Sequence, residues 1–228
     1  MINTLLNWIC SIIPKINNKV MLMFYEVLRK LHRRPKGDIS LTYWQNKNSF
    51  INHLEQIEKQ GGYIEDQNNY PDIKYGKKTI SFSGCEIIAV YNVIQEIFTE
   101  KRYDFAKLIE EFEKDGCVLS GKFGTAPIAM ADFFKRRGYA TEVSIKEKDY
   151  KQLENDYDSF ILTMYNDKHD IRKEIHTVSI SKNGGKYIAH NVYCNGTVTK
   201  PYSSINELID NINNGRAKAI SLIGIRRK

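Results

Sequence analysis

Ser83-Gly84-Cys85 runs directly into Glu86-Ile87-Ile88-Ala89-Val90-Tyr91-Asn92-Val93-Ile94, a helical pattern that is apolar almost all round. A helix of that composition is buried rather than laid on a surface, so the chain must cover it on more than one side. It also places one thiol at the mouth of a buried helix. The first backbone N–H groups of a helix are unpaired and the dipole favours an anion there, so a cysteine in that position is expected to titrate low and to act as a thiolate nucleophile at neutral pH.

A nucleophilic thiol needs a base and a group that holds the base. Both are offered by the segment from Glu174 to Tyr193, which reads as a β-hairpin. Ile175, Val178 and Ile180 alternate into Asn183-Gly184-Gly185, a strong turn signal, and Tyr187, Ile188 and Val192 lead away from it. His176 and Asn191 then fall near each other across the paired strands, at the end away from the turn, where the Asn side chain could reach the imidazole and fix its tautomer. Cys85, His176 and Asn191 together have the composition of a Cys-His-Asn triad. Singly, each has a plainer role, Cys85 as a small buried hydrophobe and His176 as a satisfied core histidine. Their joint placement is what points to catalysis.

Residues 67–193 resemble the papain-like cysteine peptidases of the bacteriocin-processing, double-glycine-leader type. Four features carry the resemblance in order: Gln67; the run from Tyr75-Gly76 to Ser83-Gly84-Cys85 with its apolar helix; Gly121-Lys122-Phe123-Gly124-Thr125-Ala126-Pro127 before a helix ending at Arg136-Arg137-Gly138; and the His-hairpin-Asn unit. The resemblance implies an α+β fold of that type, with the nucleophile helix packed on an antiparallel sheet. It implies Cys85 as nucleophile, His176 as general base and acid, Asn191 as its orienting residue and Gln67 as an oxyanion-hole donor, with Gly84, Gly121, Gly124 and Thr125 lining a narrow substrate groove. Asn191 stands where the family more often has Asp, and Glu86 where Gly is frequent. The reaction implied is acyl transfer through a thioester, ending by default in peptide hydrolysis, and an acyltransferase would use the same triad. The competing reading is a non-catalytic partner-binding module on the same fold.

The chain of 228 residues is 42% hydrophobic and 11% aromatic, ample for a core and unlike a disordered composition. A net charge of +7 comes without a nucleic-acid motif, so a solvated basic surface or a preference for acidic partners is expected and specific DNA or RNA binding is not. Cys10, Cys85, Cys117 and Cys194 show no CxxC pairing, which argues against a zinc ribbon or a disulfide scaffold and fits a reducing, cytoplasmic setting. His32, His53 and His169 lie at no ligand spacing, so neither a metal nor another cofactor is expected. His190 points to the opposite strand face from Asn191 and is the weaker base candidate.

Residues 1–60 read as an N-terminal helical extension to a domain of residues 61–228. Leu5 to Pro14 is apolar but too short to span a bilayer and has no signal-peptide flanks. Val20 to His32 makes an amphipathic helix followed by Arg33-Arg34-Pro35, and two readings stay open for residues 1–36: helices packing on the domain or a protein partner, or peripheral membrane contact. Further helices are expected over Ser49–Gln60, Tyr103–Lys114, Ala126–Arg137 and Ile205–Ile212, and strands over Ala140–Ile145, Ser159–Tyr165, Thr197–Thr199 and Ala217–Ile225. Helices first and an antiparallel sheet after is the order of an α+β domain.

Overall fold

The computed structural model describes residue 8 and residues 10–31, 39–97, 103–192 and 199–227. Cys194 and the start of the strand expected at Thr197 lie outside the described residues.

Helices dominate the first half: α1 (Asn18–Lys30), α2 (Ile39–Ile51), α3 (Leu54–Lys59), the single turn α4 (Ile80–Ser83), α5 (Cys85–Ile97), α6 (Phe105–Lys114) and α7 (Pro127–Arg136). A short hairpin, β1 (Lys74–Tyr75) and β2 (Lys78–Thr79), precedes α4. The second half holds β3 (Ala140–Ser144), α8 (Tyr150–Asp156), β4 (Ser159–Tyr165), β5 (Ile175–Asn183), β6 (Lys186–His190), α9 (Ile205–Asn211) and β7 (Lys218–Arg226). The five long strands form one antiparallel sheet in the order β3-β7-β4-β5-β6. This is the expected α+β arrangement.

Local chemistry sets the boundaries. The Asp104 side chain accepts the Lys107 N–H ahead of α6, Pro127 occupies the first turn of α7, and Ser204 accepts the Glu207 N–H ahead of α9. Gly184 and Gly185 both have positive φ, the mirror-image two-residue turn that matches the twist of β5 and β6. The helix expected over Ser49–Gln60 is instead two helices broken at Asn52-His53. Helix α8 has only Tyr150, Leu153 and Glu154 buried among polar residues, too weak a pattern to read in advance.

The sheet is buried on both faces, as the unbroken burial of β4 shows. Ile161 and Tyr165 join the core built by α5, α6 and α7, whereas Phe160, Leu162 and Met164 pack with Tyr150 and Leu153 of α8 and Ile205 and Leu208 of α9. Helix α5 lies between the other helices and the sheet, with eleven of its residues buried. Within it, Asn92 accepts the Ile64 N–H at 2.8 Å and donates to the Ile64 carbonyl at 3.0 Å. That paired contact fastens the segment leading to Gln67 alongside the helix that begins with Cys85.

Candidate active site

Cys85 begins α5 and is 6% exposed. Gly84 before it is a structural requirement: a Cβ there would lie 2.7 Å from Ile80 Cα, so only glycine lets α4 abut α5. The Thr177 backbone N–H and the Glu86 carboxylate both act on the Cys85 thiol, in opposite directions. Helix α5 packs against β5, the strand that carries His176.

The acid-base state of this thiol differs from the expectation drawn from its helix position. Burial pushes the Cys85 thiol well above its ordinary value and the Glu86 carboxylate pushes it further, while the Thr177 N–H pulls the other way. Desolvation outweighs the helix terminus here. Glu86 is itself 4% exposed, and burial raises its carboxyl to about 7 against the opposite pull of its own backbone N–H, the Cys85 thiol and the Thr125 N–H. One of its oxygens, Oε2, has no hydrogen-bond partner among the described residues.

His176 is 1% exposed, and burial brings it down to about 4, with the Asn191 carbonyl pulling upward. It is a neutral imidazole at physiological pH. Its Nε2 lies 2.5 Å from the backbone oxygen of Asn191. A carbonyl only accepts, so Nε2 carries the proton and Nδ1 is the basic nitrogen.

Asn191 therefore holds His176, but by a different atom from the one expected. The β5–β6 ladder ends at Ser179 opposite His190, and Asn191 turns into the left-handed region with φ of 64°. That turn aims its carbonyl at His176. The Asn191 carboxamide goes elsewhere: Oδ1 accepts the Gln67 N–H at 2.9 Å, and Nδ2 donates to Gln67 Oε1 at 3.5 Å. Gln67 lines the same cavity as Cys85, and its Nε2 donates to the Ser81 carbonyl at 3.1 Å.

Behind Asn191 lies a buried polar chain that sequence reading missed. Glu65 Oε2 accepts the Asn191 N–H at 3.3 Å, its Oε1 lies 2.6 Å from His190 Nδ1, and His190 Nε2 lies 2.8 Å from Ser181 Oγ. Tyr63 stacks on His190 with ring centroids 3.9 Å apart. No pattern in Tyr63-Ile64-Glu65 marks this role in the sequence.

The cleft is a cavity of about 270 Å³ bounded by Gln67, Cys85, Glu86, Lys122, Gly124 and Ile175, with half-exposed Phe82 and Phe123 at its rim. One wall comes from the N-terminal helix. Tyr25 of α1 is 5% exposed, lines the cavity, and has its hydroxyl raised by burial and by the nearby Glu86 and Cys85 charges. Of the four residues expected along the groove, Gly124 lines it, with φ of 63° and Glu86 Oε2 2.5 Å from where a Cβ would sit. The others are engaged elsewhere. Gly84 joins α4 to α5, Gly121 lies against the Tyr75 carbonyl, and Thr125 Oγ1 hydrogen-bonds Tyr75 OH at 2.6 Å.

Among the described residues no group of three or more His, Cys, Asp or Glu side chains could hold a metal ion, and no helix is long and apolar enough to cross a membrane.

No family model matches the chain, and no curated protein matches it. Among solved structures, the peptidase domain of Streptococcus ComA, a bifunctional ABC transporter involved in a quorum-sensing pathway, is similar at 14% sequence identity and a TM-score of 0.41, covering 63% of this chain and 91% of that chain. A likeness of that degree carries no argument about activity.

Proposed function

We propose that the chain is a cysteine peptidase of the papain-like type, with residues 61–228 as the peptidase domain and residues 1–60 as a helical extension. The observation that carries this reading is the meeting at one cavity of Cys85 at a helix N-terminus, Gln67 beside it, and the strand bearing an oriented, neutral His176.

In this reading Cys85 passes its proton to His176 Nδ1, and the thiolate attacks a peptide carbonyl carbon. The oxyanion is received by the Cys85 backbone N–H and by Gln67 Nε2, which exchanges its Ser81 acceptor for the developing charge. His176 returns the proton to the leaving amine, and water resolves the thioester with His176 again as base. Asn191 and, through it, Glu65 keep the imidazole in the tautomer this sequence needs. The substrate is a peptide or protein segment, a leader peptide being the class the sequence resemblance suggests, and an acyltransferase would differ only in the acceptor that enters after acylation. A second reading, a partner-binding module, draws support from the raised thiol and from Tyr25 in the cleft.

The test is the rate of iodoacetamide alkylation against pH, read residue by residue by mass spectrometry in the wild type and in His176→Ala. Peptidase chemistry expects Cys85 to label faster than buried Cys117 and to lose that advantage in His176→Ala. Equal labelling of the two thiols, unchanged by the substitution, would leave the binding module.

A further inference from the structure

Helix α1 is apolar on two faces, one packed on the core and one exposed. A helix on a globular surface turns its apolar stripe to the core and its polar residues to water. Here the inward face sets Met21, Leu22, Tyr25 and Leu28 on the core and carries Asn18 and Arg29 beside them. Asn18 Nδ2 donates to the Ile145 and Ala219 carbonyls at 3.2 and 3.1 Å, and Arg29 pairs with Asp115 at 2.5 Å and Asp132 at 3.5 Å. Facing away are Val20, Met23, Phe24, Val27 and Leu31, which are 53, 60, 49, 56 and 65% exposed. Their spacing of i, i+3, i+4, i+7 and i+11 draws one continuous stripe along the helix. Apolar packing and polar contacts on the inner face together fix this orientation, so the stripe stays exposed while they hold.

Charge says what fits it. Lys19 and Lys30 are exposed on one flank of the stripe, and among the described residues neither forms an ion pair with an acidic side chain. The helix's only acid, Glu26, is paired with Arg29. The sequence continues from Leu31 into His32-Arg33-Arg34, and the whole chain carries +7. A second copy packed antiparallel on this stripe about a two-fold axis would bring lysine flanks together. A surface that is apolar below and anionic at its boundary satisfies both features.

We propose that the outward face of α1 is a docking surface for anionic lipid, with Val20, Phe24, Val27 and Leu31 entering the headgroup boundary and Lys19 and Lys30 meeting lipid phosphates. The test is flotation of the full chain with vesicles of phosphatidylcholine alone or with part of it replaced by phosphatidylglycerol. Phe24→Ser/Val27→Ser removes apolar anchors, Lys19→Glu/Lys30→Glu removes charge, and neither pair enters the core or the cleft. Binding is expected to phosphatidylglycerol vesicles, weaker at high salt, reduced roughly a hundredfold in the serine variant and at least about tenfold in the glutamate variant. Unchanged melting of both variants keeps the comparison free of unfolding. Absence of wild-type binding, or equal binding by the variants, would overturn the proposal. So would a wild-type dimer by light scattering that the serine variant disperses without any vesicle binding, since the stripe would then belong to a second copy.

Discussion

The backbone oxygen of Asn191 lies 2.5 Å from Nε2 of His176, while the Asn191 side chain accepts the Gln67 N–H at 2.9 Å. One residue thus holds two members of the candidate site with two different atoms, and the two can be separated by mutation. Asn191→Gly keeps the carbonyl and suits φ of 64° but leaves the buried Gln67 N–H without an acceptor, a loss of about 1–3 kcal/mol. Asn191→Ala adds left-handed strain of roughly 1–2 kcal/mol to the same loss. Thermal unfolding should rank the three wild type, Gly, Ala.

Cys85 reactivity should be governed by its neighbour. The Glu86 carboxylate raises the thiol beyond what burial does, so Glu86→Gln removes that charge at unchanged size. The apparent pKa of Cys85 alkylation should fall, and labelling at neutral pH should quicken by about tenfold per unit of fall, as stopped time points and peptide mapping would show.

Tyr25 closes one side of the cleft from another helix. Tyr25→Ala should cost about 3–5 kcal/mol in denaturant unfolding as a large buried aromatic. The same variant, measured well below its unfolding midpoint, should label Cys85 faster than the wild type while Cys117 labelling stays unchanged. An equal rise at both cysteines would report global loosening instead.

Two buried groups give opposite pH slopes. His176 falls to about 4 in the fold from an ordinary 6.5, so its contribution is present above the unfolded value and is lost as pH falls through 4, by an amount on the order of 3 kcal/mol. Glu86 rises to about 7 from 4.5, so its contribution is present below the unfolded value and is lost as pH rises through 7, by a similar order. Unfolding at pH 4 to 8 should show His176→Gln relieving the acid-side loss and Glu86→Gln the loss on the basic side.

The hairpin was legible because Asn183-Gly184-Gly185 admits few turns and its flanks alternate. Helix α5 was legible because an all-round apolar pattern has no other home. The tie between His176 and Asn191 was legible as a neighbourhood but not as an atom, since a strand pattern does not announce the residue that leaves the ladder in the left-handed region. The thiol's protonation departs from the sequence expectation because a helix N-terminus is visible in sequence, whereas the depth at which Glu86 and Cys85 are buried is set by α1, the Gly124–Thr125 segment and β5 packing from elsewhere. Glu65 and His190 were out of reach for a related reason. Their contact spans 125 residues and depends on Asn92 fastening Ile64 to α5.

The thirteen residues of α1 carry Tyr25 on one face and the exposed stripe on the other, with Asn18 and Arg29 as rivets between them and the body. A short helix moves as one piece, so the two faces cannot be occupied independently. If a substrate must displace Tyr25 to reach Cys85, it works against the same Asn18 and Arg29 contacts that hold the stripe in place. Linkage is reciprocal: whatever free energy an occupant of the outer face adds to or subtracts from opening the cleft, a ligand in the cleft returns in equal measure to that occupant's affinity.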